Sequence, residues 1–80
     1  MDCQLRFNVG AFVMVRDERV FLCVHIDAKN ENAAARLGFE HFKGVDEVQV
    51  TGWRIGSECH RYHRGERGKV KLVEAKRYAF

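Results

Sequence analysis

From Leu5 to Arg16 the chain alternates apolar and polar positions with a period of two. Leu5, Phe7, Val9, Ala11, Val13 and Val15 share one face, and Arg6, Asn8, Gly10, Phe12, Met14 and Arg16 take the other. Successive side chains of a strand point to opposite sides, so this pattern predicts a β-strand with its odd face on a core. Phe12 and Met14 make the second face partly apolar towards the far end. Asp17-Glu18-Arg19 is a polar break of hairpin-turn length. Val20 to Asp27 then resumes the alternation, with Val20, Leu22, Val24 and Ile26 facing one way. So short a link predicts an antiparallel pair.

The period then changes. Ala28-Lys29-Asn30-Glu31-Asn32 is polar and carries Asn30 as the foremost N-cap residue, followed by Ala33, Ala34, Ala35, Arg36 and Leu37. At 100° per residue Ala35, Phe39 and Phe42 fall in one stripe, flanked by Ala34, Leu37 and Gly38. The spacing predicts a helix running to Lys43, with Gly44 as its C′ residue. Val45 to Gly56 returns to strand chemistry through Val48, Val50, Trp53 and Ile55, with a phase slip at Thr51-Gly52 that reads as a β-bulge. Ser57 to Gly68 is polar and reads as a loop. Lys69 to Tyr78 reads as a last strand, with Val70 and Leu72 inward and Lys69 and Lys71 outward. The expected architecture is one α+β domain over residues 1–80, β-β-α-β-β, with one helix on one face of an antiparallel sheet. Its expected core is Leu5, Phe7, Val9, Val13, Leu22, Val24, Ile26, Leu37, Phe39, Phe42, Val48, Val50, Val70 and Leu72.

Eighty residues accommodate one small domain, and no apolar run approaches the roughly 18 residues of a membrane-crossing helix. The start, Met1-Asp2-Cys3-Gln4, is too polar to open a secretory signal. Three cysteines, Cys3, Cys23 and Cys59, are too few and odd in number for a disulfide framework, so free thiols in the cytosol are expected, with Cys23 as a small core residue.

Catalytic patterns are missing. Ser57 and Thr51 lie in no nucleophile elbow, and Gly65-Glu66-Arg67-Gly68-Lys69 precedes a strand where a phosphate loop would precede a helix. Cys59-His60-Arg61-Tyr62-His63 holds metal-ligand residue types. Four ligands are needed for a structural zinc, however, and Cys3, Cys23, His25 and His41 are scattered. The cluster therefore reads as a solvated loop whose His60 and His63 gain charge below about pH 6.5. No enzyme activity, metal or cofactor is expected.

Charge is the more informative signal. Residues 1–53 carry six basic and eight acidic side chains, whereas residues 54–80 carry eight basic and three acidic, so the net +3 divides into −2 and +5. Arginine interleaved with aromatics suits phosphate contact and base stacking, or a protein hot spot. The expected partner-binding residues are Trp53, Arg54, Arg61, Tyr62, Arg64, Arg67, Lys69, Lys71 and Arg77. Such a surface would meet nucleic acid or an acidic protein face. An exposed sheet edge also leaves room for a homodimer.

The element order over Leu5 to Tyr78 resembles that of the small phage-encoded anti-CRISPR proteins. The resemblance is carried by the run Ile26-Asp27-Ala28-Lys29-Asn30-Glu31-Asn32-Ala33-Ala34-Ala35-Arg36, where a strand passes through an acidic, asparagine-rich cap into an alanine-rich helix. It implies a non-enzymatic inhibitor in the host cytoplasm that binds a bacterial CRISPR effector complex and blocks its recognition of target nucleic acid. Members that mimic nucleic acid are strongly acidic and this chain is basic. The resemblance therefore implies contact with an acidic protein surface or with nucleic acid itself. The alternative expectation is a small basic DNA- or RNA-binding module of phage or bacterial regulation.

Overall fold

The alternation from Leu5 onward folds into a long hairpin. In a computed structural model, which describes residues 4–52 and 58–77, strand β1 (Leu5–Val15) pairs antiparallel with β2 (Glu18–Ala28) over eleven residue pairs. The turn is Arg16-Asp17, one residue earlier than expected, and both residues have positive φ (50° and 66°). That is the two-residue turn whose twist matches the right-handed twist of the flanking strands, and a short polar side chain such as Asp tolerates it. Helix α1 (Glu31–His41) follows, then β3 (Glu47–Gly52), β4 (Glu58–Arg64), a short 3-10 turn η1 (Glu66–Gly68) and β5 (Val70–Arg77). The sheet order is β2-β1-β3-β4-β5 with every neighbour antiparallel.

The expected α+β class is observed, with one helix lying on the sheet. The sheet has one strand more than the sequence pattern indicated. The polar stretch read as a loop contains β4, which sits between β3 and β5. β3 pairs regularly through Gly52, while Trp53 and Ile55, the positions from which the slip at Thr51-Gly52 is read, lie outside the described residues; a separate register shift falls between Arg61 and Tyr62 on the β5 side of β4.

Asn30 caps the helix as expected, its side-chain oxygen accepting from the Ala33 N–H at 2.8 Å. The helix ends at His41, two residues short of Lys43, with Phe42 as C-cap and Gly44 in the left-handed region at φ 87°. Ala34, Ala35 and Gly38 face the sheet and let the helix approach closely. A Cβ on Gly38 would stand 2.5 Å from Val9 Cγ1. Phe39 and Phe42 close the far end of a core built on Phe7, Val9, Ala11, Val48, Val50 and Tyr62.

Four expected core residues, Leu5, Leu22, Leu37 and Leu72, are exposed. The three on strands fall on the helix-facing side of the sheet, but eleven helical residues span only about 16 Å, too short to cover five strands set about 4.8 Å apart. Cys23 is exposed as well, because the alternation that turns Leu22 and Val24 towards the helix turns Cys23 away; of the two described cysteines the buried one is Cys59. Among the described residues β1 pairs with β3 over Phe7–Gly10, and the distal half of the hairpin has β-partners within itself alone.

Candidate functional site

Strand β4 sorts the basic stretch onto two faces. Its pairing with β3 places Cys59, Arg61 and His63 beside Thr51, Gln49 and Glu47, away from the helix. There the Glu47 carboxylate accepts from Arg61 Nη1 at 3.2 Å and from His63 Nε2 at 2.9 Å through the same oxygen. The Cys59 thiol donates to Gln49 Oε1 at 3.6 Å. One carboxylate thus answers an arginine and a histidine, and the cysteine and the nearest histidines are committed to other partners. Among the described residues no group of three or more histidine, cysteine or carboxylate side chains is arranged to hold a metal ion.

On the helix side two polar centres lie at opposite ends of α1. At its N-terminus, Glu31 Oε2 lies 2.6 Å from His60 Nδ1 and accepts from the Tyr62 hydroxyl at 3.1 Å, while Glu58 Oε2 lies 2.8 Å from His60 Nε2. Both ring nitrogens therefore face carboxylates, an arrangement satisfied only when both carry protons. The hydrogen bond that His60 Nε2 donates to Glu58 is the main force raising the His60 pKa, partial burial opposes it, and Glu31 adds to the rise. Burial, followed by the Glu31 charge and hydrogen bond, pushes the Tyr62 hydroxyl up to about 12. Glu31 also occupies the first turn of α1, where a negative charge favours the helix dipole. This centre ties helix to sheet.

The second centre lies towards the C-terminal end of α1. Arg64 leaves β4 on the helix side, its guanidinium 5.1 Å from the Phe39 ring centroid, and Nη2 donates to the Val45 carbonyl at 3.0 Å. The stacked, hydrogen-bonded plane is held in place while it stays exposed. Beyond Arg64 the chain turns through η1. The Gly65 N–H donates to the Lys69 carbonyl at 2.7 Å and the Lys69 N–H to the Glu66 carbonyl at 3.1 Å, which clamps the turn. A side chain at Gly65 would collide with it, since a Cβ there would be 2.8 Å from the Lys69 carbonyl oxygen. The result is a cleft lined by Arg36, Phe39, Glu40, Arg64, Lys69 and Val70, with three cations against one carboxylate.

The expected partner-binding residues are therefore dispersed. Arg64 and Lys69 meet at the cleft, Arg61 and Lys71 lie on the opposite face at the β3–β4–β5 register, and Arg67 is exposed on η1. Tyr62 is 5% exposed and belongs to the core, so it offers no ring face for stacking. Arg77 is placed by its backbone opposite Glu58, and Trp53 and Arg54 lie outside the described residues. Charge counting over the last third overlooked Arg36, Phe39 and Glu40, which the helix contributes. Helical spacing holds the signal, because Arg36, Phe39 and Glu40 are three and four residues apart and so share a face. Set against known protein families, curated proteins and solved structures, the chain matches none.

Proposed function

We propose that the protein is a non-enzymatic binding module that engages the phosphate backbone of nucleic acid through the cleft between the C-terminal end of α1 and the β4–η1–β5 segment. The observation that carries this reading is the convergence of Arg36 from α1, Arg64 from β4 and Lys69 from the link between η1 and β5 on a cleft holding one carboxylate, with Arg64 pre-oriented on Phe39. Planar guanidinium groups suit bidentate phosphate contact, and a fixed side chain loses less entropy on binding. The cysteine and histidine side chains of β4 support a binding role too, since the partners described above occupy them within the fold.

Within the same proposal, an inhibitor of a CRISPR effector would use this cleft against the nucleic acid that the effector holds. The test is fluorescence anisotropy with labelled duplex and single-stranded DNA and RNA at about 50 mM salt. In parallel, a panel of CRISPR effector complexes is assayed for target binding with and without the protein. Direct binding that weakens with the Arg64→Ala and Lys69→Ala substitutions supports the nucleic-acid reading. Loss of effector target binding without affinity for free nucleic acid transfers the role to a protein surface. Neither effect would refute both.

A further inference from the structure

Strand β2 forms one margin of the sheet and has a strand partner on one side only among the described residues. Sheets usually blunt such margins with lysine, proline or bulges. β5, at the other margin, carries Lys71 and Lys76 and follows Lys69. β2 is eleven residues long, with no lysine, no proline and no shift in its register with β1. Phe21 is 42% and Leu22 46% exposed.

We propose that a second copy of the chain pairs antiparallel with β2, with Cys23 on the two-fold axis. A two-fold axis perpendicular to the sheet keeps faces in common, so opposed residues must belong to the same face. With Cys23 on the axis the whole strand is used: Glu18 meets Ala28, Arg19 meets Asp27, Val20 meets Ile26, Phe21 meets His25, and Leu22 meets Val24. Opposite charges face each other and aliphatic residues meet aliphatic residues, which is the pairing that stabilises a ladder. Beyond the strand, Asp17 comes opposite Lys29. Moving the axis to Leu22 sets Asp17 against Asp27, and moving it to Val24 sets Arg19 against Lys29 and Phe21 against Asp27. Each shift shortens the ladder and replaces an ion pair with a repulsion or a mismatch. Asp27 already accepts from Arg6 through Oδ1, and its second oxygen can receive Arg19 of the copy.

Sedimentation equilibrium from about 1 μM to about 1 mM tests the proposal over the range of weak to firm association. The chain is expected at twice its monomer mass at the upper end. Leu22→Lys, at an exposed position, is expected to weaken self-association at least tenfold while circular dichroism stays unchanged. Arg19→Asp and Asp27→Arg should each weaken it, and the two together should restore it. Opposed strand residues have Cα atoms about 4.5–5.5 Å apart, within disulfide range. Mild oxidation of a Cys3→Ser, Cys59→Ser chain should therefore give a covalent dimer that further replacement of Cys23 by serine abolishes. A monomer throughout the concentration range, a dimer indifferent to Leu22→Lys, or a dimer that cannot be cross-linked through Cys23 would overturn it.

Discussion

At one margin of the sheet β2 presents Phe21, Leu22, Val24 and Ile26 between an arginine and an aspartate, and at the other β4, η1 and β5 present Arg61, Arg64, Arg67, Lys69 and Lys71. Both regions are built on one sheet, and both leave large side chains in solvent. Their chemistry separates what each can bind. An apolar, self-complementary edge gains by covering itself with like surface. A cationic margin repels a copy of itself and attracts polyanions from a distance of about a Debye length, ~8–10 Å at physiological salt. Net charge alone conceals this division, because +3 averages a mildly acidic portion with a basic one.

The largest effect is expected at the cationic margin. Arg36→Glu with Arg64→Glu is expected to lower affinity for duplex DNA about 100-fold or more near 100 mM salt, measured by anisotropy. Arg16→Glu, at the hairpin tip, should leave it within about threefold. Equal losses from both variants would mean that binding follows net charge and that the cleft has no special role.

Stability should show a second contrast, smaller in its effect. Gly38→Val drives a side chain into Val9 and Val48 beneath the helix and is expected to cost about 2–3 kcal/mol in urea unfolding. Met14→Ala on the exposed hairpin arm should cost under about 0.5 kcal/mol. Similar costs would mean that the arm is covered in solution.

The His60 clamp should appear as a pH dependence. Its folded pKa is raised above the unfolded value, so its contribution is fully present below about pH 6.5 and is lost as pH rises through the folded value. Thermal melts of the wild type should fall as pH is raised from about 5.5, roughly one unit below the unfolded value, through the folded value. His60→Gln should be less stable by roughly 1–2 kcal/mol at the acidic end and should converge with the wild type at the alkaline end. A parallel offset at all pH values would exclude the charged clamp. The smallest effect belongs to the Arg6–Asp27 pair, about half exposed on both sides. Arg6→Ala should leave the urea midpoint unchanged within error, as exposed pairs usually do.

The hairpin and helix were legible in the sequence because their signals are local. Period two persists from Leu5 to Ile26, and Asn30 lies immediately before the helix it caps. β4 was not legible, because Glu58-Cys59-His60-Arg61-Tyr62-His63-Arg64 contains no aliphatic residue and so shows no apolar alternation. Its inward positions are satisfied instead by Glu31, about thirty residues away in sequence and one hydrogen bond away in space. The same long-range pairing explains the site. Arg64 and Lys69 were visible as charge, but which face each occupied depended on β4 being a strand, and Arg36 joined them only once the helix was set on the sheet. Cys23 differs, since the alternation of its own strand already placed it opposite the face of Leu22 and Val24.

The salt dependence of nucleic-acid binding by the wild type and by an Arg36→Ala, Arg64→Ala, Lys69→Ala chain tests the cleft most directly. Three phosphate contacts correspond to a slope of roughly −2.7 in log K against log salt on duplex DNA, about −0.9 for each contact. The expected result is a wild-type slope of at least that steepness, flattened by about three contacts' worth in the triple variant. An unchanged slope in the triple variant, alongside a flattened one in Arg61→Ala, Lys71→Ala, would contradict the cleft and place binding on the opposite face.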